Sequence, residues 1–146
     1  MSRSLRPTPT CTMISLPEYV LPKWMLFVSA VSVFNSVQCY LGDLKLSKKV
    51  YCAKPQEVTP LSNRTFGTWT LAVAAVRFYA AYNLHVPAVY NIAMSTYVIA
   101  GIHFLGEWLV FGTAKLGKGL AGPLLVASIT TAWMINVREG YLGSQA

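Results

Sequence analysis

Four stretches of mostly apolar residues dominate the chain, and each has nearly the length that a helix needs to cross a bilayer. They run over residues 22–41, 66–84, 88–111 and 119–137. A membrane-spanning helix requires roughly 20 apolar residues, and a helix that is apolar on every face is typical of lipid rather than of a soluble core. The pattern therefore predicts an all-α membrane protein, a bundle of four transmembrane helices.

The segments between and beside these stretches complete the predicted organisation. Residues 1–21 are expected to be a disordered N-terminal segment, residues 22–138 the transmembrane domain and residues 139–146 a short tail. The only long connection is 42–65, where Pro55 and Pro60 are expected to stop regular structure. Each predicted helix also carries a tryptophan within about one and a half turns of an end, as interfacial anchors do: Trp24, Trp69, Trp108 and Trp133.

Composition and charge agree with a membrane protein. The chain is 54% hydrophobic and only 12% charged, which is about half the charged share of a soluble domain. Its net charge of +7 lies in the loops, so we interpret it as contact with anionic membrane lipid rather than nucleic acid. Loops 42–65 and 112–118 carry most of the lysines and arginines, so the positive-inside rule places both in the cytosol and both termini outside or lumenal.

Signatures of catalysis, cofactor binding and metal binding are missing from the sequence. Two histidines are too few for a histidine-rich iron centre, and the chain has no phosphate-binding loop, dinucleotide fingerprint or nucleophile elbow. His103 and Glu107 share one helix face, but two ligands make a poor metal site. We therefore predict no catalytic residues, no cofactor and no metal, and a structural hydrogen bond between these two residues.

Polar residues inside the predicted helices are costly to bury, so their depths limit how they pair. Counting about 1.5 Å per residue from the turn at Val86 places Glu107 level with Arg64, and this depth match predicts an ion pair that clamps the second helix to the third. Arg77 lies deeper, and snorkelling to the surface is the alternative to pairing there. Its candidate partners are hydroxyl residues at its own depth: Ser95, Thr96, Thr130 and Thr131.

Several short motifs together resemble one protein family. They are Arg64-Thr65-Phe66-Gly67-Thr68-Trp69-Thr70-Leu71, then Arg77, His103-Phe104-Leu105-Gly106-Glu107, Phe111-Gly112-Thr113-Ala114 and Pro123-Leu124-Leu125-Val126-Ala127-Ser128. The combination, from about Trp24 to about Met134, resembles the ergosterol biosynthetic protein twenty-eight family. The resemblance implies a multi-pass membrane protein of the endoplasmic reticulum without catalysis of its own. It also implies a scaffold for the sterol C-4 methyl oxidase, the sterol C-3 dehydrogenase/decarboxylase and the 3-ketosteroid reductase.

The motifs supply the candidate residues for structural or partner contacts, and two other functions stay open. The candidates are Arg64, Phe66, Gly67, Trp69, Arg77, His103, Glu107, Gly112 and Thr113. One alternative is a small membrane carrier or pore for sterol or lipid, with Arg77, Asn35 and Gln38 lining a cavity. The other is an enzyme that uses His103 and Glu107 in acid–base work.

Overall fold

The computed structural model describes residues 19–42 and 44–143, and the regular secondary structure of these residues is entirely helical. Its helices are α1 (Val20–Tyr40), α2 (Lys45–Val50), α3 (Pro60–Ala81), α4 (Pro87–Leu109) and α5 (Lys118–Leu142), with one 3₁₀ turn at Pro55–Glu57. No strand occurs among these residues, so the all-α prediction is confirmed. By length and composition, three helices can cross a membrane: α1, α4 and α5. Helix α3 has 22 residues, but its polar residues lower its hydropathy.

Two prolines begin helices instead of interrupting them. Pro60 and Pro87 lie in the first turns of α3 and α4, where a missing N–H group costs no helical hydrogen bond. Thr59 and Ser62 form a capping box at the start of α3, which satisfies free backbone N–H groups. The expectation that Pro60 stops regular structure was therefore wrong, and α3 begins at Pro60 rather than at residue 66.

The other helix ends differ less from the prediction. Helix α1 begins at Val20, and residues 1–18 of the predicted disordered segment lie outside the described residues. Helix α5 continues to Leu142, so residues 139–142 of the predicted tail are helical. Pro123 lies inside α5 and removes the N–H group that would otherwise bond the carbonyl of Gly119.

The long connection between α1 and α3 is more ordered than its prolines suggested. Within it, α2 buries Ser47 and Val50 against the bundle and leaves Lys48 and Lys49 exposed. The backbone of α2 lies directly on the first turn of α5, since a Cβ added to Gly119 would lie 2.2 Å from the carbonyl oxygen of Lys49. This connection is therefore part of the folded bundle.

Helices α1 and α3 form a close antiparallel pair. The hydroxyls of Ser29 and Ser36 donate to the carbonyls of Ala74 and Gly67 at 2.6 and 2.7 Å. A Cβ on Gly67 would lie 2.8 Å from the Cβ of Cys39. Small residues allow this approach, and a hydrogen bond across the interface replaces the hydrophobic effect, which is absent between helices in lipid.

Helices α4 and α5 form the second antiparallel pair, and the two pairs meet at both ends of the bundle. Tyr90 donates to the carbonyl of Met134 at 2.6 Å, and the indole of Trp24 on α1 donates to Thr130 on α5 at 2.9 Å. One buried cluster lies near the α3–α4 turn and includes Leu21, Met25, Tyr90, Tyr97 and Met134. The other lies at the α2 end and consists of Val50, Ala100, Phe104, Ala114, Leu120 and Ala127.

The contact between α2 and α5 gives a first testable prediction. We expect Gly119→Ala to lower the free energy of unfolding by about 1–3 kcal/mol, because the added methyl meets backbone that cannot rotate away. Gly122→Ala is the matched control, since a Cβ there has nothing within 4 Å. Thermal unfolding of the purified chain in detergent measures both variants. Equal melting temperatures for the two would contradict the close contact at Gly119.

Candidate functional site

A polar and aromatic group of side chains gathers where α3 and α4 meet the α2 connection. We call Tyr51, Phe66, Trp69, His103, Glu107 and Thr113 the junction cluster. The ring of His103 lies 5.3 Å from that of Trp69 and 6.1 Å from that of Tyr51, and Phe66 lies 5.5 Å from Trp69. Five candidates from the sequence thus come together: Phe66, Trp69, His103, Glu107 and Thr113.

Two hydrogen bonds join the polar members of the junction cluster in pairs, Tyr51 with His103 and Thr113 with Glu107. Burial, with a further contribution from the Glu107 carboxylate, raises the pKa of Tyr51. The phenol therefore stays protonated, and its oxygen forms a hydrogen bond with Nε2 of His103 at 2.8 Å. Nδ1 of His103 lies 4.0 Å from Oε1 of Glu107, which is beyond hydrogen-bond distance, so the predicted hydrogen bond between these two residues is not formed. The hydroxyl of Thr113 donates to the same carboxylate.

Gly112 makes this local arrangement possible. Its φ of +62° lies in the left-handed region that glycine adopts without steric cost. The chain consequently turns back after α4, and the backbone N–H groups of Thr113 and Ala114 donate to the carbonyl of Glu107 at 2.9 and 3.2 Å. The end of α4 is thus closed by the segment that follows it.

The junction cluster holds two connections together. Both nitrogens of His103 face protein groups, and the amide N–H of Ala53 in the long connection donates to the Thr113 carbonyl at 3.1 Å. A neighbouring opening of about 410 Å³ also has Lys54, Glu57 and Asn63 in its wall. Within residues 19–42 and 44–143, no three His, Cys, Asp or Glu side chains lie close enough together to hold a metal ion.

The predicted Arg64–Glu107 ion pair is not formed. Glu107 contacts His103 and Thr113, and Arg64 is exposed and bridges no described carboxylate. Helical phase explains the error: Asn63 and Gly67 point into the bundle, so Arg64, one residue after Asn63, points about 100° away from that direction. Depth alone could not reveal this rotation.

Asn63 is itself a structural residue. It is 1% exposed, its amide donates to the carbonyl of Cys39 at 2.9 Å, and its oxygen accepts from Ser47 at 2.5 Å. The Asn63-Arg64-Thr65 sequence therefore presents no free amide for glycosylation. Instead it ties together α1, α2 and α3.

Arg77 lies at the depth that the residue count gave. Its Nε and Nη2 donate to the hydroxyl and the carbonyl of Thr96 at 3.0 and 3.3 Å, and its guanidinium carbon lies 3.9 Å from the ring centroid of Tyr97. The side chain is only 6% exposed, so it pairs inside the bundle rather than snorkelling. Thr96 is thus confirmed as a partner, whereas Thr130 bonds Trp24.

A cavity of about 520 Å³ lies between the two helix pairs. We call it the inner cavity. Arg77, Asn35 and Gln38 all line it, as the carrier alternative required. The rest of its wall is mainly apolar and includes Trp24, Phe27, Val28, Val31, Val73, Phe104 and Val126.

Comparison with known proteins identifies the family. A profile described as Erg28 like protein matches residues 21–132. The chain is 53% identical over 122 residues to the ergosterol biosynthetic protein 28 of Candida albicans, covering 84% of this chain and 88% of that protein. It is 48% identical over 136 residues to the protein of the same name in Saccharomyces cerevisiae, covering 93% and 92%. The chain belongs to the Erg28 family. No solved structure matches it.

The Erg28-like motifs fall into different parts of the molecule. Gly67 packs against α1, and Arg77 lies beside the inner cavity. The other candidate residues, apart from Arg64, belong to the junction cluster or to the turn at Gly112. What had looked like one set of partner-binding candidates therefore contains packing, cavity-lining and junction residues.

Sequence reasoning missed two residues of these sites, Tyr51 and Tyr97. Tyr51 is the only aromatic residue of the lysine-rich connection 42–65, and that isolation is a usable signal for an anchor. Tyr97 follows Thr96 at the depth of Arg77, where an aromatic ring is a ready cation–π partner. The signal at Tyr97 can be used only when it is known which face of α4 points towards Arg77.

The junction cluster gives a second testable prediction. We expect Tyr51→Phe to lower the free energy of unfolding by about 1–2 kcal/mol, because it leaves the half-buried His103 nitrogen without its partner. Tyr40→Phe is the matched control, since it removes a hydroxyl from an exposed contact with Thr68 and should change stability by less than about 0.5 kcal/mol. Denaturant titration in mild detergent compares the two, and equal losses would argue against the Tyr51–His103 bond.

Proposed function

We propose that this chain is a non-catalytic membrane scaffold of sterol biosynthesis. The observation that carries the proposal is its membership of the Erg28 family, whose relatives are named ergosterol biosynthetic proteins. The site geometry agrees with it. His103 and Glu107, the pair that an acid–base enzyme would need, bond to Tyr51 and Thr113 and hold two connections together.

A scaffold needs fixed helices with accessible faces, and this bundle has both. Helix α1 is fixed on α3 by hydrogen bonds from Ser29 and Ser36. Outside the inner cavity it also exposes Val33 and Val37, which are 42% and 50% accessible. In a bilayer such a face meets either lipid or the helices of another membrane protein. Tethered partners gain effective concentration, because a bound enzyme no longer diffuses freely from the next one.

The proposed partners are the sterol C-4 methyl oxidase, the sterol C-3 dehydrogenase/decarboxylase and the 3-ketosteroid reductase, in the endoplasmic reticulum membrane. Their intermediates are membrane-bound, so enzymes held side by side exchange them over short distances. The exposed lysines of α2, among them Lys48 and Lys49, would lie at the cytosolic headgroups, where a basic residue gains attraction to anionic lipid.

We further propose that α3 is the fourth transmembrane helix. It lies antiparallel to α1 from the Cys39–Asn63 contact to the Ser29–Ala74 contact, and this pairing supports a crossing of the same slab of lipid as α1. Its 22 residues give a length of roughly 33 Å, enough for a hydrocarbon core of about 30 Å. Burying the charge of Arg77 at that depth costs free energy, and the hydrogen bond to Thr96 and the contact with the Tyr97 ring reduce this cost.

The scaffold proposal gives a third testable prediction. Deleting the gene should lower flux through C-4 demethylation and lead to accumulation of 4-methyl or 3-keto sterols, because the enzymes no longer exchange intermediates at close range. Each enzyme assayed alone in the same membranes should keep its activity, and re-expression of the full chain should restore flux. Affinity purification from gently solubilised membranes should recover the three enzymes. A normal sterol profile in the deletion strain would refute the scaffold.

The topology gives a fourth testable prediction. In sealed microsomes, a membrane-impermeant maleimide should label a chain that keeps only Cys52, which is exposed in the α2 connection. A chain whose only cysteine comes from His85→Cys, at the exposed α3–α4 turn, should react only after the membrane is opened. The only long helix between Cys52 and His85 is α3. Labelling of both positions from the same side would therefore show that α3 does not cross the membrane.

A further inference from the structure

The inner cavity contains a positive charge that the surrounding protein does not neutralise. Two of the three guanidinium nitrogens of Arg77 donate to Thr96. The third, Nη1, bonds to no residue in the part of the chain that the structure describes, and no described Asp or Glu forms an ion pair with Arg77. A guanidinium in a low-dielectric interior is stabilised strongly by an anion. The wall of the cavity thus has a site for a negative group.

Tyr97 is a second, independent sign of a ligand at the same end of the cavity. It is fully buried, and its hydroxyl is a buried polar atom without a hydrogen-bond partner among residues 19–42 and 44–143. Buried phenol hydroxyls normally have a partner. Tyr97 also lines the cavity and lies beneath the Arg77 guanidinium. Arg77 and Tyr97 thus each have a donor without an acceptor, and the Tyr97 ring lies against the guanidinium.

The shape of the cavity fits one elongated lipid. Its wall follows α1 from Trp24 to Gln38, a rise of roughly 21 Å. Its volume of about 520 Å³ falls within the range of small-molecule sites. Apolar side chains dominate the wall, and Asn35 and Gln38 provide polar groups towards the α2 end. Because the lining also includes the exposed Phe27, Val31 and Phe34 of α1, a lipid can reach the cavity from the bilayer.

We propose that the inner cavity binds one molecule of a lipid carboxylic acid, with its carboxylate at Arg77 and Tyr97 and its apolar body along α1. An arginine–carboxylate contact is among the strong charge-assisted hydrogen bonds, and a neutral lipid would leave the guanidinium without an anion. Fused-ring acids and fatty acids share this chemistry. The proposal does not depend on the scaffold function, since it concerns the isolated chain.

Binding of a matched acid and ester to the purified full chain tests the proposal. The protein is placed in phosphatidylcholine nanodiscs, with empty nanodiscs to measure partitioning, and is titrated with tritiated cholenic acid, its methyl ester or oleate. We expect saturable binding of one acid per chain, about tenfold or more tighter than the ester. Tighter binding of cholenic acid than of oleate identifies a fused-ring ligand, and the reverse identifies an acyl chain. Both results support a carboxylate site.

Three variants connect that binding to the cavity. Gly122→Leu fills the cavity from its wall, where an added Cβ meets nothing within 4 Å, and it should abolish binding. Gly140→Leu on the same helix, also open in space but outside the cavity, should bind normally. Arg77→Gln should remove the preference for acid over ester. If Arg77→Gln fails to fold, the proposal is still tested by the affinities of the wild-type chain for acid and ester and by the binding of Gly122→Leu. Equal affinity for acid and ester, or full binding by Gly122→Leu, would overturn the proposal.

Discussion

The close contact between α1 and α3 fixes the position of every other element. Lipid offers helices no hydrophobic reason to associate, so packing and hydrogen bonds must hold them. Here Gly67 removes a side chain where the two backbones approach, and Ser29 and Ser36 donate to carbonyls across the gap. Asn63 extends the same contact to α2. The pair therefore forms a rigid unit against which the rest of the chain packs.

The two helix pairs close at their ends and stay apart in the middle. On the side of the α3–α4 turn, Trp24 of α1 bonds Thr130 of α5, and Arg77 of α3 bonds Thr96 of α4. At the other end, the junction cluster connects the loops, and α2 lies against the first turn of α5 at Gly119. The inner cavity lies between these closures. A bundle packed to uniform density would leave no such space, so the separation of the two contacts creates it.

Arg77 connects the architecture with the proposed ligand. Burying a cation inside a membrane protein costs free energy, which Thr96 and the ring of Tyr97 offset in part. Burial and orientation of this side chain follow from the α3–α4 hairpin, whose short turn sets the relative depth of Arg77 and Thr96. A carboxylate would complete the interactions that the protein leaves open.

The sequence by itself determined the helical class, the approximate places of the long helices and the family. Apolar length and short motifs are local properties, so no tertiary contact is needed to recognise them. The depth of Arg77 beside Thr96 also followed from the sequence. The turn between α3 and α4 is short, so residues equally far from it along the two helices lie at the same depth. Only the tertiary structure decided that Arg64 points outward, that Glu107 accepts a hydrogen bond from Thr113, and that Tyr51 and Tyr97 belong to the sites. These facts depend on helix rotation and on a glycine turn, which linear spacing does not specify.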